Sequence, residues 1–311
     1  MKIVGYIVLV VAILMLIALF YYLIVGMIIF KKSLGRKTLK KRVKKNNLTQ
    51  NLEKYNIDLC WWDNLPFKKV EIKSYDNLKL VAHFLNQQSD RSVIIVHGYS
   101  ANYKEMQQYA KFFYQRGFNL LCVELRAHGE SEGECVGMGY LDRKDILNWI
   151  EFLNNEITSN ILLMGLSMGA SAVCATTGEN LQKNVKAVIS DSAFDSAERQ
   201  IKHVLKKFGF LKNLLYKHLK SYAKRGYNFN LQEADFVKCV KKTKIPILYF
   251  HGKADNYVPF TCSQNLYNAT PENLRELVLV EEADHGMCYP VLKVMYERKI
   301  NNFFKKYHIF E

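Results

Sequence analysis

The sequence predicts a doubly wound α/β domain on a mostly parallel sheet, with a helical insertion and one long apolar helix ahead of it. Three observations lead there. Short runs rich in Val, Ile and Leu, at 93–96, 119–124, 161–164, 185–189, 245–250 and 277–280, alternate with helix-sized amphipathic stretches. Continuous apolar runs of that length belong to strands covered on both faces. The alternation is interrupted once, between Asp191 and Thr243, where a long segment intervenes before the next strand. Finally, residues 3–30 contain no charged side chain.

Taken in order, residues 3–30 are long enough to cross roughly 30 Å of hydrocarbon as a tilted helix. A cleaved signal peptide would have an apolar core of roughly 7 to 15 residues and a small-residue cleavage site, and neither is present. Domain limits follow: an anchor at 1–30, a basic stalk and linker at 31–67, and a folded domain at 68–311. The net charge of +15 is local to the stalk. Residues 1–45 hold ten Lys or Arg and no acid, whereas the remaining 34 basic residues nearly balance 29 acidic ones. Lys31, Lys32, Arg36, Lys37, Lys40, Lys41, Arg42, Lys44 and Lys45 all follow the apolar run, which predicts a single-pass cell-membrane protein with its domain on the cytoplasmic side. The basic run reads as a stop signal lying on anionic lipid heads, and no nucleic-acid partner is implied.

The seven cysteines, Cys60, Cys122, Cys135, Cys174, Cys239, Cys262 and Cys288, are odd in number, scattered and free of C-x-x-C pairs. They read as reduced thiols in a reducing compartment, and no metal site is suggested. Residues 46–67 lack periodicity but place Trp61 and Trp62 where they can pack on the domain. A hairpin follows: residues 68–74, a Tyr75-Asp76-Asn77 turn, and residues 78–85. Helices are expected at 102–116, stopped by Gly117, at 141–155, and at 289–307. In the long insertion Leu211, Leu214, Leu215, Leu219 and Tyr222 recur at helical intervals, so a helical cap at about 195–243 is expected over the C-terminal edge of the sheet.

The sharpest chemical signal is Gly165-Leu166-Ser167-Met168-Gly169, lying between the apolar run 161–164 and the helix-compatible stretch 170–177. Gly-x-Ser-x-Gly in a strand-turn-helix context presents a serine on a tight turn, and the small neighbours let strand and helix approach. It aims the Ser167 Oγ into a cleft and leaves the Met168 N–H at a helix start, where it can stabilise an oxyanion. A serine hydroxyl needs a base, and the base needs a group that fixes its tautomer. Asp255 follows the strand ending at Phe250, and His285 follows the last strand, giving the order Ser, Asp, His. The second oxyanion donor is expected at the Tyr99 N–H, in His97-Gly98-Tyr99 after the run 93–96. His97, His128 and His251 read as loop braces, and Asp191 is the rival to Asp255 for the acid.

With His97-Gly98-Tyr99, the segment from Glu124 to Ser131, the Ser167 turn, Gly252 to Pro259 and Asp284-His285-Gly286, the chain resembles the α/β-hydrolase superfamily over residues 70–308. Within it the similarity is to the bacterial serine-aminopeptidase-like and monoacylglycerol-lipase-like branch. That family usually reads Asp-x-Arg-Gly-His-Gly-x-Ser in the second segment, from which Glu124 and Ala127 depart. The resemblance implies the α/β-hydrolase fold and a ping-pong hydrolysis with Ser167, His285 and Asp255 as triad, an acyl-enzyme, and no metal or organic cofactor.

The substrate expected first is a lipid-like or small acyl ester near the membrane. A serine aminopeptidase or oligopeptidase is the alternative, with Glu198 or Glu233 as carboxylates able to hold an amino terminus. A non-catalytic binding module is the third reading, disfavoured because all three triad roles are filled. Lys202, Lys206, Lys207, Lys224 and Arg225 make the cap cationic, a face for anionic lipid or anionic substrate, or simply a solvated surface.

Overall fold

A computed structural model describes residues 2–43, 60–157 and 159–310. The sheet has eight strands in the order β1-β2-β4-β3-β5-β6-β7-β8. They are β1 (Lys68–Lys73), β2 (Lys79–Leu85), β3 (Arg91–Val96), β4 (Asn119–Glu124), β5 (Asn160–Leu166), β6 (Val185–Asp191), β7 (Ile247–Gly252) and β8 (Arg275–Val280). Strand β2 runs antiparallel to β1 and β4, and every other pairing is parallel. The α/β-hydrolase fold expected from the sequence is present. Strand β7 begins two residues later than its apolar run because Pro246 has no N–H to give the ladder.

Each central strand divides its side chains between two apolar layers. Ile94 and Val96 of β3 join Leu121, Leu163 and Trp149 on one face, while Val93 and Ile95 join Leu120, Met164 and Phe113 on the other. This is period-two alternation with both faces dry. The layers are supplied by α3 (Gln107–Tyr114), α4 (Asp142–Glu156), α5 (Met168–Thr176), α9 (Thr261–Ala269), α10 (Cys288–Val291) and α11 (Lys293–Lys306). The expected helix at 102–116 opens as a tight turn at Tyr103–Met106, and that at 289–307 is broken at Leu292, which leaves helical backbone angles. The break lets Tyr289 turn inward beside Tyr109 and Tyr296 before α11 lies down on the sheet.

The insertion holds α6 (Ala197–Val204), a tight-turn segment Leu205–Leu211, α7 (Lys212–Tyr227) and α8 (Phe236–Val240). Leu219 and Ala223 of α7 are buried, whereas Leu211 and Leu214 are exposed.

Helix α1 (Lys2–Leu34) is long and apolar enough to cross a membrane. Its large side chains from Ile3 to Tyr21 are mostly exposed, and these 19 residues span about 28 Å of helix. From Tyr22 onward α1 rests on α7. The His218 Nδ1 donates to the Tyr22 carbonyl at 3.2 Å, and the Phe30 ring meets Tyr222 and stacks on Tyr227, with centroids 5.3 and 4.8 Å apart. A side chain at Gly26 would stand 3.0 Å from the His218 carbonyl, so glycine permits the approach.

The first part of the expected stalk is packed on the domain. Leu34 and Leu39 are buried in the same apolar layer as Trp149. Gly35 forms a one-rung antiparallel bridge with Cys135, closed by Arg36 N–H to the Glu134 carbonyl (3.0 Å) and Val136 N–H to the Leu34 carbonyl (2.9 Å). After α2 (Arg36–Val43), residues 44–59 of the expected linker lie outside the described residues. Trp62 is buried and stacks on Phe67, with Trp61 set edgewise against it.

Candidate active site

Strand β5 ends at Leu166 and α5 begins at Met168, so Ser167 alone makes the turn between them. It does so at φ 56°, ψ −117°, a conformation L-residues rarely adopt. The neighbours must be small for this to happen. A Cβ on Gly165 would sit 2.4 Å from the Gly169 carbonyl carbon, and one on Gly169 would sit 2.2 Å from the Val96 oxygen. The Ser167 N–H is held by the Asp191 carbonyl at 2.8 Å. The strained turn therefore faces Ser167 into a cleft at the C-terminal edge of the sheet, between β3 and β6.

His285 reaches Ser167 from the loop after β8. Its Nε2 is 2.8 Å from Ser167 Oγ, and its Nδ1 is 2.7 Å from Asp255 Oδ2. Asp255 is anchored by two backbone donors: Oδ1 accepts from the Tyr257 and Val258 N–H groups at 2.9 and 2.8 Å. Burial pushes the Asp255 carboxyl upward, but hydrogen bonding from the two imidazoles His251 and His285 holds it well below the usual carboxylate range. With the carboxylate fixed as acceptor, the His285 proton sits on Nδ1 and Nε2 is free to accept from Ser167.

The rival groups have other partners. Asp191 is fully buried and accepts from Tyr109 (3.0 Å), Tyr296 (3.1 Å) and Ser192 (2.9 Å), with no contact to His285. His97 donates through Nδ1 to the Gly98 carbonyl and accepts at Nε2 from the Leu125 N–H. His128 repeats the pattern, donating to the Arg126 carbonyl and accepting from the Ser100 N–H. Burial lowers them to about 3 and about 4, so both are neutral rings bracing loops.

The β3 loop passes close to Ser167: a Cβ on Gly98 would lie 3.8 Å from Ser167 Oγ, which brings the following Tyr99 beside Ser167. Met168 sits at the first position of α5, where helical N–H groups have no partner within the helix. In the neighbouring segment, Ala127 has φ 65°, the left-handed region, where the related family carries glycine. Glu124 accepts from the Glu130 N–H at 2.5 Å, tying that loop down from within.

Above Ser167 lies a cavity of about 250 Å³. Met138, Phe194, Ile201, Leu205, Phe208 and Leu219 make it mainly apolar. Lys32, Ser33 and Leu34 complete it, although nothing in their sequence links the end of an apolar helix to a catalytic pocket. Tyr99, which also lines the cavity, donates its hydroxyl to the Ser33 carbonyl. No carboxylate lines it among the described residues, whereas Lys32 and Lys207 do.

Residues 87–235 match the family profile described as "Serine aminopeptidase, S33". An esterase from Pyrococcus furiosus superimposes with a TM-score of 0.64 at 24% identity, covering 78% of this chain and 93% of that one. The chain has the α/β-hydrolase fold and is similar to that family over residues 87–235. The profile match supports a serine hydrolase, and the esterase neighbours show the fold. Another α/β-hydrolase neighbour, an esterase from Exiguobacterium antarcticum, has a TM-score of 0.58 at 20% identity over 76% of this chain and 100% of that one. By sequence, the uncharacterized protein YqkD of Bacillus subtilis is 24% identical over 71% of this chain and 73% of its own length.

Proposed function

We propose that this α/β hydrolase cleaves a carboxylic ester, lipid-like or with a small acyl group, while anchored in the membrane by α1 with its domain on the cytoplasmic side. The observation that carries the reading is the continuous hydrogen-bond chain from Ser167 Oγ through His285 to Asp255. Ser167 Oγ attacks the ester carbonyl as His285 Nε2 takes its proton. The carbonyl oxygen becomes an oxyanion held by the Tyr99 and Met168 N–H groups. The C–O bond then breaks, His285 returns its proton to the leaving alcohol, and an acyl-Ser167 ester remains. Water, deprotonated by His285, releases the acid and restores the serine. Every atom is supplied by substrate, water and these side chains.

The peptidase alternative has less support. An aminopeptidase needs a carboxylate for the substrate amino terminus, and this pocket is lined by lysines instead. Glu198 is engaged by Lys202 at 2.6 Å, and Glu233 by Asn230 at 3.0 Å. The test is fluorophosphonate labelling of the full chain beside Ser167→Ala, followed by acyl esters against peptide amides. Labelling absent from the mutant, with esters turned over, supports the reading; a folded wild type that does not label overturns it.

A further inference from the structure

We propose that the C-terminal end of α1 is a specificity-determining wall of the acyl pocket, admitting to Ser167 the chain of an ester that resides in the bilayer. This rests on the ester-hydrolase reading above and deepens it.

The cavity over Ser167 has two sides that come from distant parts of the chain. One is Lys32–Ser33–Leu34 at the end of α1; the other is the Leu205–Phe208 part of the cap. The α1 side is fastened from within the site, because Tyr99 donates its hydroxyl to the Ser33 carbonyl while the Gly35–Cys135 bridge holds the next residue. A tether with no role in the pocket would need neither attachment.

The direction of approach follows from how α1 lies on α7. Tyr22 pairs with His218, and Phe30 with Tyr222 and Tyr227, so the two helices ascend together. Residues of α7 before His218 therefore extend toward the exposed, membrane-length part of α1. Leu214 is exposed there, and Phe208, Phe210 and Leu211 are exposed in the segment that leads into α7, Phe210 at 92%. An apolar patch of this kind beside an apolar span has an obvious occupant, the bilayer itself. Lys206, Lys207 and Lys212 are interleaved with the patch in sequence, cations able to meet lipid phosphates. Phe208 belongs both to the patch and to the pocket, so the exposed apolar surface meets the pocket wall at this residue. With Lys32 and Lys207 lining it, the chemistry fits an acyl ester carrying an anionic head group.

The test uses the full chain, in detergent and in phosphatidylcholine–phosphatidylglycerol vesicles. In detergent, Ser33→Trp is expected to lower kcat/KM for an octanoyl ester roughly tenfold more than for an acetyl ester, while Ser33→Ala keeps the wild-type ratio. Phe208→Ala reports on the opposite wall should Ser33→Trp fail to fold, and is expected to shift the same ratio. Phe210→Asp, outside the pocket, is expected to lower hydrolysis of a vesicle-embedded ester roughly tenfold with the acetyl ester in detergent unaffected. An acetyl-active protein whose chain-length ratio is unmoved by both wall variants overturns the inference, as does full vesicle activity in Phe210→Asp. A wild type inactive on both esters and unlabelled by fluorophosphonate overturns the ester-hydrolase reading beneath it instead.

Discussion

His251 Nε2 lies 3.2 Å from Asp255 Oδ2, the same oxygen that His285 Nδ1 reaches at 2.7 Å. Two imidazoles thus converge on one carboxylate oxygen, and His251 is itself locked by Ser263 (2.6 Å) and the Val258 carbonyl (2.9 Å). His251→Phe removes the Nε2 contact with Asp255 without touching substrate. We expect kcat to fall roughly tenfold with KM unchanged, measured on a soluble ester, because the lost contact orients the acid and not the acyl group.

Asp255→Asn is expected to cost about 10³- to 10⁴-fold in kcat, since an amide cannot hold His285 in the Nδ1–H tautomer. Asp191→Asn disturbs Tyr109, Tyr296 and Ser192 instead, and should lower stability by about 1–3 kcal/mol while kcat changes far less. Parallel kinetics and thermal melts separate the two; equal kinetic losses would refute the assignment of the acid.

Gly169→Ala should destabilise the protein by about 2–4 kcal/mol, because the new methyl meets the Val96 carbonyl at 2.2 Å and strand β3 cannot yield without moving the His97–Tyr99 loop. The readouts are a lowered melting temperature and loss of fluorophosphonate labelling together.

Burial raises the Asp142 carboxyl to about 7, against the opposing charge of Arg126, and burial likewise raises Glu105 to about 7. Both groups bind their proton more tightly folded than unfolded, so their contribution is present at low pH and is lost as pH climbs from about 4 through 7. Asp142→Asn removes one of them. It is expected to flatten the fall in stability between pH 5 and pH 8, by on the order of 1–3 kcal/mol, in denaturant titrations at the two pH values.

The α/β sheet was legible because its signals are local: apolar runs mark strands whatever surrounds them. The Gly165–Gly169 turn could be found for the same reason, with its glycines standing where a Cβ has no room. Asp255 and His285 needed only chain order and strand ends. The role of His251 was not visible, since its neighbour Asp255 approaches by way of a loop whose shape no pattern encodes. Least legible of all was Lys32–Leu34. Hydropathy ranks α1 as a membrane span and is silent on what its last turn touches, and the touching groups, Tyr99 and Cys135, lie far along the chain.

The Gly35–Cys135 bridge also makes α1 a part that cannot be interchanged. A helix that only tethers could be replaced by an unrelated span of similar length, with the enzyme none the wiser. Here such a graft would discard a piece of the folded body, since Phe30, Leu34 and Leu39 are interior residues. Two evolutionary regimes therefore share one helix: residues 3–21 can drift among apolar types, whereas Tyr22 to Leu39 must change in step with α7 and with the segment around Cys135.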